Sequence, residues 1–189
     1  MSRILLLPLG NTDRELVQGL CFPLKETFKT PVEILEEPIE LEGFYDEARS
    51  QYNSTAILLH LKHAYLSPAS SEREISHVST KLLAVLGYDL FIPILTYVFG
   101  EAELGGQAAV VSYYRLKNER YGLPPDPALL SDRLQKEAHH ELGHAYGLVH
   151  CSIQDCVMHT STYVEDIDLK SATFCGRCGE ELTKKFQCL

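Results

Sequence analysis

Residues 137–158, which read EAHHELGHAYGLVHCSIQDCVM, hold several potential metal ligands at short spacings. His140 and His144 are four residues apart, so on a helix both imidazoles lie on one face and can reach the same ion. On a continuing helix His150 would lie about 9 Å further along the axis, too far to bind that ion. Gly147 lies between His144 and His150 and takes a left-handed conformation at little cost, so a turn there would bring His150 back towards the other two histidines. The spacing predicts three histidines around one zinc ion, with a fourth position open.

The residue that follows the first of these histidines, Glu141, indicates the chemistry of the site. Zinc held by three neutral histidines lowers the pKa of a bound water to about 7 and polarises a carbonyl oxygen. Glu141 is placed to take the proton of that water and pass it to a leaving amine, which predicts hydrolysis of an amide bond. Two alternatives are a carboxylate that only orients the ligands and a chance His-Glu-x-x-His match. His139 lies about 100° around the helix from His140, so we assign it either a structural role or one in supporting the ligands from outside the metal site.

The helix that carries these ligands has clear start and stop signals. Asp126 followed by Pro127 is a good start, because the acidic side chain can cap the helix and proline has no N–H to satisfy. Gly147 is a suitable end. Apolar residues recur at every fourth position between them, which predicts a helix over 127–146; they are Leu130, Leu134, Ala138 and Leu142.

Four of the six cysteines form two short-spaced pairs, Cys151 with Cys156 and Cys175 with Cys178. Four thiolates suit a closed tetrahedral zinc site with no room for substrate. The alternative is a pair of disulfides or loosely buried thiols. Because Cys151 directly follows His150, we interpret the cysteine site as a structural zinc that folds the tail and holds His150 in place.

Composition narrows the function and the compartment. The 189 residues are 45% hydrophobic and 23% charged, which is typical of one folded domain, and the net charge of −9 argues against nucleic acid as a partner. The longest apolar stretch, Leu90–Phe99, is too short to span a membrane. Residues 1–10, MSRILLLPLG, lack the long apolar core of a signal peptide. We therefore expect a cytoplasmic protein with reduced thiols.

In the rest of the chain, predicted strands and helices alternate, which favours a largely parallel sheet with helices on its faces. Apolar runs predict strands and four-residue spacings predict helices. Pro23 predicts a kink or an early end of the first helix near Phe22. The predicted strands are Arg3–Leu9, Val32–Leu35, Asp89–Val98 and Ala108–Leu116, and the predicted helices begin near Asn11 or Thr12, at Phe44 and at Glu72, ending at Phe28, Tyr65 and Leu86.

The combined motif resembles the archaemetzincin family, a branch of the metzincin clan of zinc proteases. The region Phe99–Leu116 is also similar to that family. The residues that carry the motif are His140, Glu141, His144, Gly147, His150, Cys151, Cys156, Met158, Cys175 and Cys178.

The resemblance implies an α+β, zincin-like fold: a twisted mixed sheet, mostly parallel, whose antiparallel edge strand binds extended substrate. Phe99–Leu104 is the candidate for that edge strand. Residues 1–189 would form one catalytic domain, with an upper subdomain (1–147) that ends in the active-site helix and a lower, zinc-stapled one (148–189).

The resemblance also implies roles for the motif residues. The three histidines would bind a catalytic zinc, Glu141 would be the general base, and the four cysteines would bind a second, structural zinc. Met158 would lie beneath the catalytic metal, in the methionine turn of the clan. Tyr163 follows that turn and could lie near the cleft, although aromatic packing is its expected role.

We therefore predict a zinc-dependent peptidase that acts on peptides or proteins. The first alternative is a zinc-binding protein that keeps the ligands, has little or no catalysis and binds peptides; the intact Glu141 argues against it. The second is a nucleic-acid binder built on the cysteine pairs, which the interruption of nearby basic residues by Glu180 and Glu181 argues against.

Overall fold

The structure is a computed structural model, and it describes residues 2–36, 39–66 and 80–187. Its strands are β1 (Arg3–Leu9), β2 (Val32–Ile34), β3 (Tyr45–Asp46), β4 (Gln51–Asn53), β5 (Thr80–Leu86), β6 (Leu90–Phe91), β7 (Gly100–Ala102) and β8 (Ala108–Ser112). Its α-helices are α1 (Arg14–Phe28), α2 (Ser54–Leu61), α3 (Pro127–Ala145), α4 (Val164–Leu169) and α5 (Gly176–Gln187).

A five-stranded mixed sheet with strand order β2-β1-β5-β8-β7 forms the centre of the fold. The first four strands in that order pair in parallel. β7 pairs antiparallel with β8, with Glu101 opposite Val110, and so lies at one edge. This confirms the predicted mixed sheet, mostly parallel with an antiparallel edge strand, and β7 falls inside the segment predicted to be that edge. A smaller sheet contains β3, β4 and β6.

Helices cover both faces of the large sheet. Along β1, Ile4 and Leu6 pack in a cluster that includes residues of α1 and α3, whereas Leu5 and Leu7 pack in a second cluster that includes residues of α2. Burial on both faces explains why the inner strands are apolar at nearly every position. This packing fixes α3, the helix that carries the predicted ligands, against one face of the sheet.

The predicted start and stop of α3 are confirmed. The Asp126 carboxylate accepts a hydrogen bond from the Leu129 N–H at 3.0 Å, and the helix begins at Pro127. Gly147 has a φ of +92° and ends it. Lys81, a buried residue of β5, donates a hydrogen bond to the Ala145 carbonyl at 2.9 Å, which satisfies one of the last carbonyls of the helix.

Two predicted helices need correction. The second half of the predicted helix Glu72–Leu86 is strand β5, and Glu72–Ser79 lies outside the described residues. A strand buried on both faces shows no alternation of apolar and polar residues, so its sequence resembles the apolar face of a helix. Within Phe44–Tyr65, residues 45–53 contain β3 and β4. The α-helix begins only at Ser54, because the Asn53 side chain caps it by accepting the Ala56 N–H at 3.1 Å.

Two further expectations are wrong. The strand predicted over Asp89–Val98 is reduced to β6, and the rest is a loop whose Ile94 side chain is 86% exposed. Its apolar residues therefore do not mark a buried strand. Of the two outcomes predicted at Pro23, the early end does not occur, because α1 continues to Phe28. Four buried apolar side chains of α1 offset the hydrogen bond that the proline removes.

Among the described residues no helix is long and apolar enough to span a membrane.

Candidate metal centres and active-site cleft

The structure brings the three predicted histidine ligands together. His140 and His144 lie one turn apart on α3, with their Nε2 atoms 3.1 Å from each other. The turn at Gly147, where the Leu148 N–H donates to the Gly143 carbonyl at 2.9 Å, returns the chain towards the helix. The His150 ring then lies 5.2 Å from that of His140, centre to centre. One nitrogen from each of the three rings falls within 4.8 Å of the others.

Hydrogen bonds orient two of these rings. Nδ1 of His140 donates to the Val157 carbonyl, and Nδ1 of His144 donates to the Leu148 carbonyl, both at 2.8 Å. A proton on Nδ1 leaves Nε2 with a free lone pair, so both lone pairs point to the same place. Two such nitrogens on one tetrahedral zinc would be about 3.3 Å apart, given zinc–nitrogen bonds of about 2.0 Å. The donor set therefore fits zinc.

Glu141 lies beside this cluster and is buried. Burial raises the pKa of its carboxyl well above the ordinary value; Glu137 also raises it, and Lys170 lowers it. Gly100 of β7 makes room for the side chain, because a Cβ there would lie 2.6 Å from both Cγ and Oε1 of Glu141. The edge strand and the carboxylate therefore touch only because residue 100 is glycine.

Gly100→Ala is therefore expected to move either Glu141 or β7, and to lower the free energy of unfolding by about 1–3 kcal/mol, the usual range for overpacking. Denaturant titration measures this. Gly19→Ala is a matched control, since a Cβ at Gly19 meets nothing within 4 Å and alanine suits a helix interior. An alanine at residue 100 that left both stability and peptide cleavage unchanged would contradict the close packing described here.

Met158 lies under the active-site helix. It is fully buried, and its Sδ contacts α3 so closely that a Cβ at Gly143 would overlap it. The Met158 carbonyl accepts a hydrogen bond from the Cys151 N–H at 2.9 Å, which joins this turn to the residue after His150. Met158 therefore packs against Gly143, the residue before His144. His139 faces elsewhere: its Nε2 lies 2.9 Å from the Thr27 hydroxyl of α1.

A buried ion pair beside the site was missed by sequence reasoning. Lys170 Nζ lies 2.8 Å from Glu137 Oε1, and the two side chains are 1% and 4% exposed. Glu137 precedes Glu141 by one helical turn, a spacing that could have placed it on the same face. Lys170 had no such signal, because it lies 33 residues away and follows α4. The pair ties the segment after α4 to the active-site helix.

An open cleft of about 530 Å³ runs past the histidines. One wall is the loop and edge strand of residues 92–102, and the other is the segment of residues 160–163. Glu137, Glu141 and the three histidines also line it. Tyr163 lines the cleft and is 64% exposed, so the aromatic packing expected for it is wrong.

The four paired cysteines also converge. Their Sγ atoms all lie within 4.8 Å of one another, and those of Cys151 and Cys175 are 3.8 Å apart. Two sulfurs on one tetrahedral zinc would be about 3.8 Å apart, whereas a disulfide requires about 2.05 Å. The donor set therefore fits zinc and excludes the disulfide alternative in this structure.

Hydrogen bonds prepare the Cys151 thiol to bind a cation, whereas burial raises the pKa of Cys156 and of Cys178. Burial raises the pKa of Cys151, but the Ile153 N–H, two neighbouring thiols and Arg177 outweigh it and lower that pKa to about 7. The Cys175 N–H also points to the Cys156 sulfur at 3.3 Å. Cys21 lies on α1, partly buried and outside this cluster. Cys188 lies outside the described residues.

Comparison with known proteins identifies the family. The sequence model of Peptidase family M54 matches residues 21–184. The chain belongs to peptidase family M54. This M54 chain is 37% identical over 183 residues to the archaemetzincin of Methanocaldococcus jannaschii, a match that covers 96% of this chain and 93% of that relative. The predicted resemblance to archaemetzincins is thereby confirmed.

Solved structures agree with this assignment. The M54 chain is similar to the archaemetzincin of Archaeoglobus fulgidus complexed with malonate, with a TM-score of 0.77 and 36% identity over 95% of this chain and 99% of that one. It is also similar to a zinc-dependent peptidase from Methanocorpusculum labreanum, with a TM-score of 0.81 and 30% identity over 95% and 99% of the two chains. The M54 chain is therefore a zinc metallopeptidase, and its substrates are peptides or proteins.

Proposed function

We propose that His140, His144 and His150 hold a catalytic zinc and that Glu141 is the general base for peptide hydrolysis. The observation that carries this proposal is the convergence of three imidazole nitrogens beside a buried carboxylate, on the wall of an open cleft. Zinc bound there would supply an activated water and polarise the scissile carbonyl. The Glu141 carboxylate would take the proton of the water and give it to the leaving amine.

The protein environment supports that role for Glu141. Burial and the neighbouring Glu137 raise the pKa of its carboxyl, so the protonated form that must donate to the leaving amine is less costly than in water. Lys170 opposes this shift, which limits it. Because the Glu141 carboxylate packs against Gly100, it has little freedom to move away from the position that the attacking water would occupy.

The outer edge of β7, the last strand of the large sheet among the described residues, supports binding of extended peptides. The Ser112 N–H donates to the Phe99 carbonyl and the Glu103 N–H donates to the Ala108 carbonyl, so these alternate residues face β8. Because hydrogen-bonding direction alternates in an antiparallel ladder, Gly100 and Ala102 direct their N–H and C=O groups away from β8. Those groups can pair with the backbone of a substrate that adds to the sheet as a further strand.

We propose further that Cys151, Cys156, Cys175 and Cys178 hold a second, structural zinc. This site would fix the lower subdomain, residues 148–189, against the upper subdomain, residues 1–147, with the cleft between them. Zinc would have no open position there, because four sulfurs complete the tetrahedron. The four clustered free thiols suit a reducing compartment, so we place the protein in the cytoplasm.

The proposed activity is tested with a mixed peptide library. Zinc-loaded protein should cleave it, a chelator should stop cleavage, and added zinc should restore it. Protein that holds zinc at the histidines but yields no products would favour the alternative, a peptide-binding module without catalysis.

The zinc affinity of the histidine site is expected to be insensitive to pH down to about 6.5 and to fall below that value. Only a neutral imidazole binds zinc, so protons compete with the metal. Burial lowers the pKa of His140 well below its ordinary value of 6.5 and also lowers those of His144 and His150, so protonation starts only in the acid range. Calorimetric zinc titration of protein with its cysteine site already filled measures this. Affinity that declines from pH 8 downwards would contradict it.

A further inference from the structure

A hydrogen bond joins the two walls of the cleft. The Tyr97 hydroxyl, on the wall that leads into β7, donates a hydrogen bond to the Thr162 carbonyl on the opposite wall at 2.7 Å. Both residues line the same cleft as the histidines and Glu141. The hydrogen bond therefore connects the rims directly, and a peptide that continues in that direction must displace it.

Neighbouring side chains fix the position of Tyr97. The Arg115 guanidinium lies 4.0 Å from the centre of its ring and forms two hydrogen bonds of 2.6 Å with the Asp89 carboxylate. The Gln51 amide donates to the same carboxylate and to the Thr96 carbonyl, each at 3.0 Å. These contacts fix both the ring and the backbone next to it.

Thr162 is held just as firmly on the other wall. The Asp166 carboxylate accepts hydrogen bonds from the N–H groups of Thr162 and Tyr163 at 2.8 and 2.9 Å. Asp166 itself lies in the first turn of α4. Since both partners are anchored, the contact is a fixed wall of the cleft rather than a loose lid.

The chain direction of β7 places this wall relative to the reacting centre. Tyr97 precedes Gly100 by three residues, which is at most about 10 Å of chain, and Gly100 touches Glu141. A substrate strand that pairs antiparallel with β7, the more stable pairing, runs towards Tyr97 with its carboxyl-terminal end. About three residues fit between the scissile bond and the closed end.

We propose that the Tyr97–Thr162 contact closes the cleft on the leaving-group side, so that the enzyme cuts within about three residues of a peptide's carboxyl terminus. This inference rests on the proposed peptidase function and names its substrate class: peptides with a free end close to the cleaved bond. Among the described residues, no such contact lies on the amino-terminal side, so extension there is tolerated.

Two nested series of peptides around one cleaved bond test the proposal, one extended on the amino side and one on the carboxyl side. For wild type, kcat/KM should stay level in the first series. In the carboxyl-side series, kcat/KM should fall roughly tenfold once more than three carboxyl-side residues are present. This factor corresponds to the free energy of one ordinary hydrogen bond. Tyr97→Phe, which lacks the hydroxyl, should recover part of that loss, and Tyr97→Ala should recover most of it.

Tyr121→Phe is the matched control, because its hydroxyl also donates to a backbone carbonyl, that of Arg115, but lies outside the cleft. It should keep the wild-type length profile. Tyr97→Phe keeps the ring and so remains informative if Tyr97→Ala fails to fold.

A binding assay separates this inference from the proposed activity. Fluorescence anisotropy of labelled peptides with zinc-loaded Glu141→Gln protein should show the same carboxyl-side limit without any turnover. If the wild-type protein cleaves no peptide but the binding assay shows the carboxyl-side length limit, the peptidase proposal is wrong and the inferred closure of the cleft is supported. A level carboxyl-side profile, a limit on the amino side, or a limit that Tyr97→Phe and Tyr97→Ala leave unchanged would overturn the inference.

Discussion

Glu141→Gln is expected to lower kcat for peptide cleavage by roughly 100- to 10,000-fold, the range for loss of a general base. Glutamine keeps the size of the side chain, so it still fills the space that Gly100 leaves. Glutamine cannot accept the proton of the attacking water at neutral pH, so the substitution affects kcat rather than KM. The measurement is steady-state kinetics on one peptide from the library, with kcat and KM determined separately.

The control is the zinc content of the variant, which should equal that of wild type because Glu141 is not one of the converging ligands. Glu180→Gln, on α5 and outside the cleft, makes the same chemical change and should leave kcat unaltered. Equal cleavage by wild type and Glu141→Gln would remove the carboxylate from the mechanism and favour a binding role for the site.

Cys175→Ser is expected to remove one equivalent of zinc and to lower the melting temperature by roughly 10–15 °C, as loss of a structural metal worth about 4 kcal/mol would do. Binding of zinc by four thiolates contributes directly to folding free energy. The cluster links Cys151, next to His150, to Cys178 on α5, so the damage should also weaken the histidine site.

Calorimetry and elemental analysis of the same preparation check this prediction. Cys21→Ser is the matched control, since Cys21 is a partly buried thiol on α1 outside the cluster, and it should leave the zinc content unchanged. An unaltered zinc content in Cys175→Ser would show that the four sulfurs are not a metal site.

The histidine site could be predicted because its geometry is local. His140 and His144 share one helix, whose start at Asp126 and end at Gly147 are set by neighbouring residues. The return of His150 needs only one turn with a left-handed glycine. The sequence therefore contained the helix and the turn that bring the three rings together.

The long-range contacts of the site could not be predicted in this way. Lys170 reaches Glu137 across 33 residues, and Tyr97 reaches Thr162 across 65. Neither pair has a spacing rule, because each depends on how α4 and the loop before β7 pack against α3. The same is true of Gly100, whose role is visible only once β7 lies against Glu141.

The errors in the fold have a common cause. Thr80–Leu86 is buried along its whole length, and the loop after Leu90–Phe91 is apolar although it is exposed on the cleft. Hydrophobic patterns report burial on the assumption that one face is wet and that apolar residues lie inside. A central strand violates the first assumption, and an exposed apolar rim of the cleft violates the second.

The central claim, that three histidines and an adjacent carboxylate form a zinc site open to substrate, is tested most directly by anomalous X-ray scattering from crystals of the zinc-loaded protein. We expect one zinc about 2.0–2.1 Å from a nitrogen of each of His140, His144 and His150, with Glu141 not bound to it, and a second about 2.3 Å from the four sulfurs. A map with no zinc at the histidines, or with Glu141 occupying the fourth position, would contradict the account.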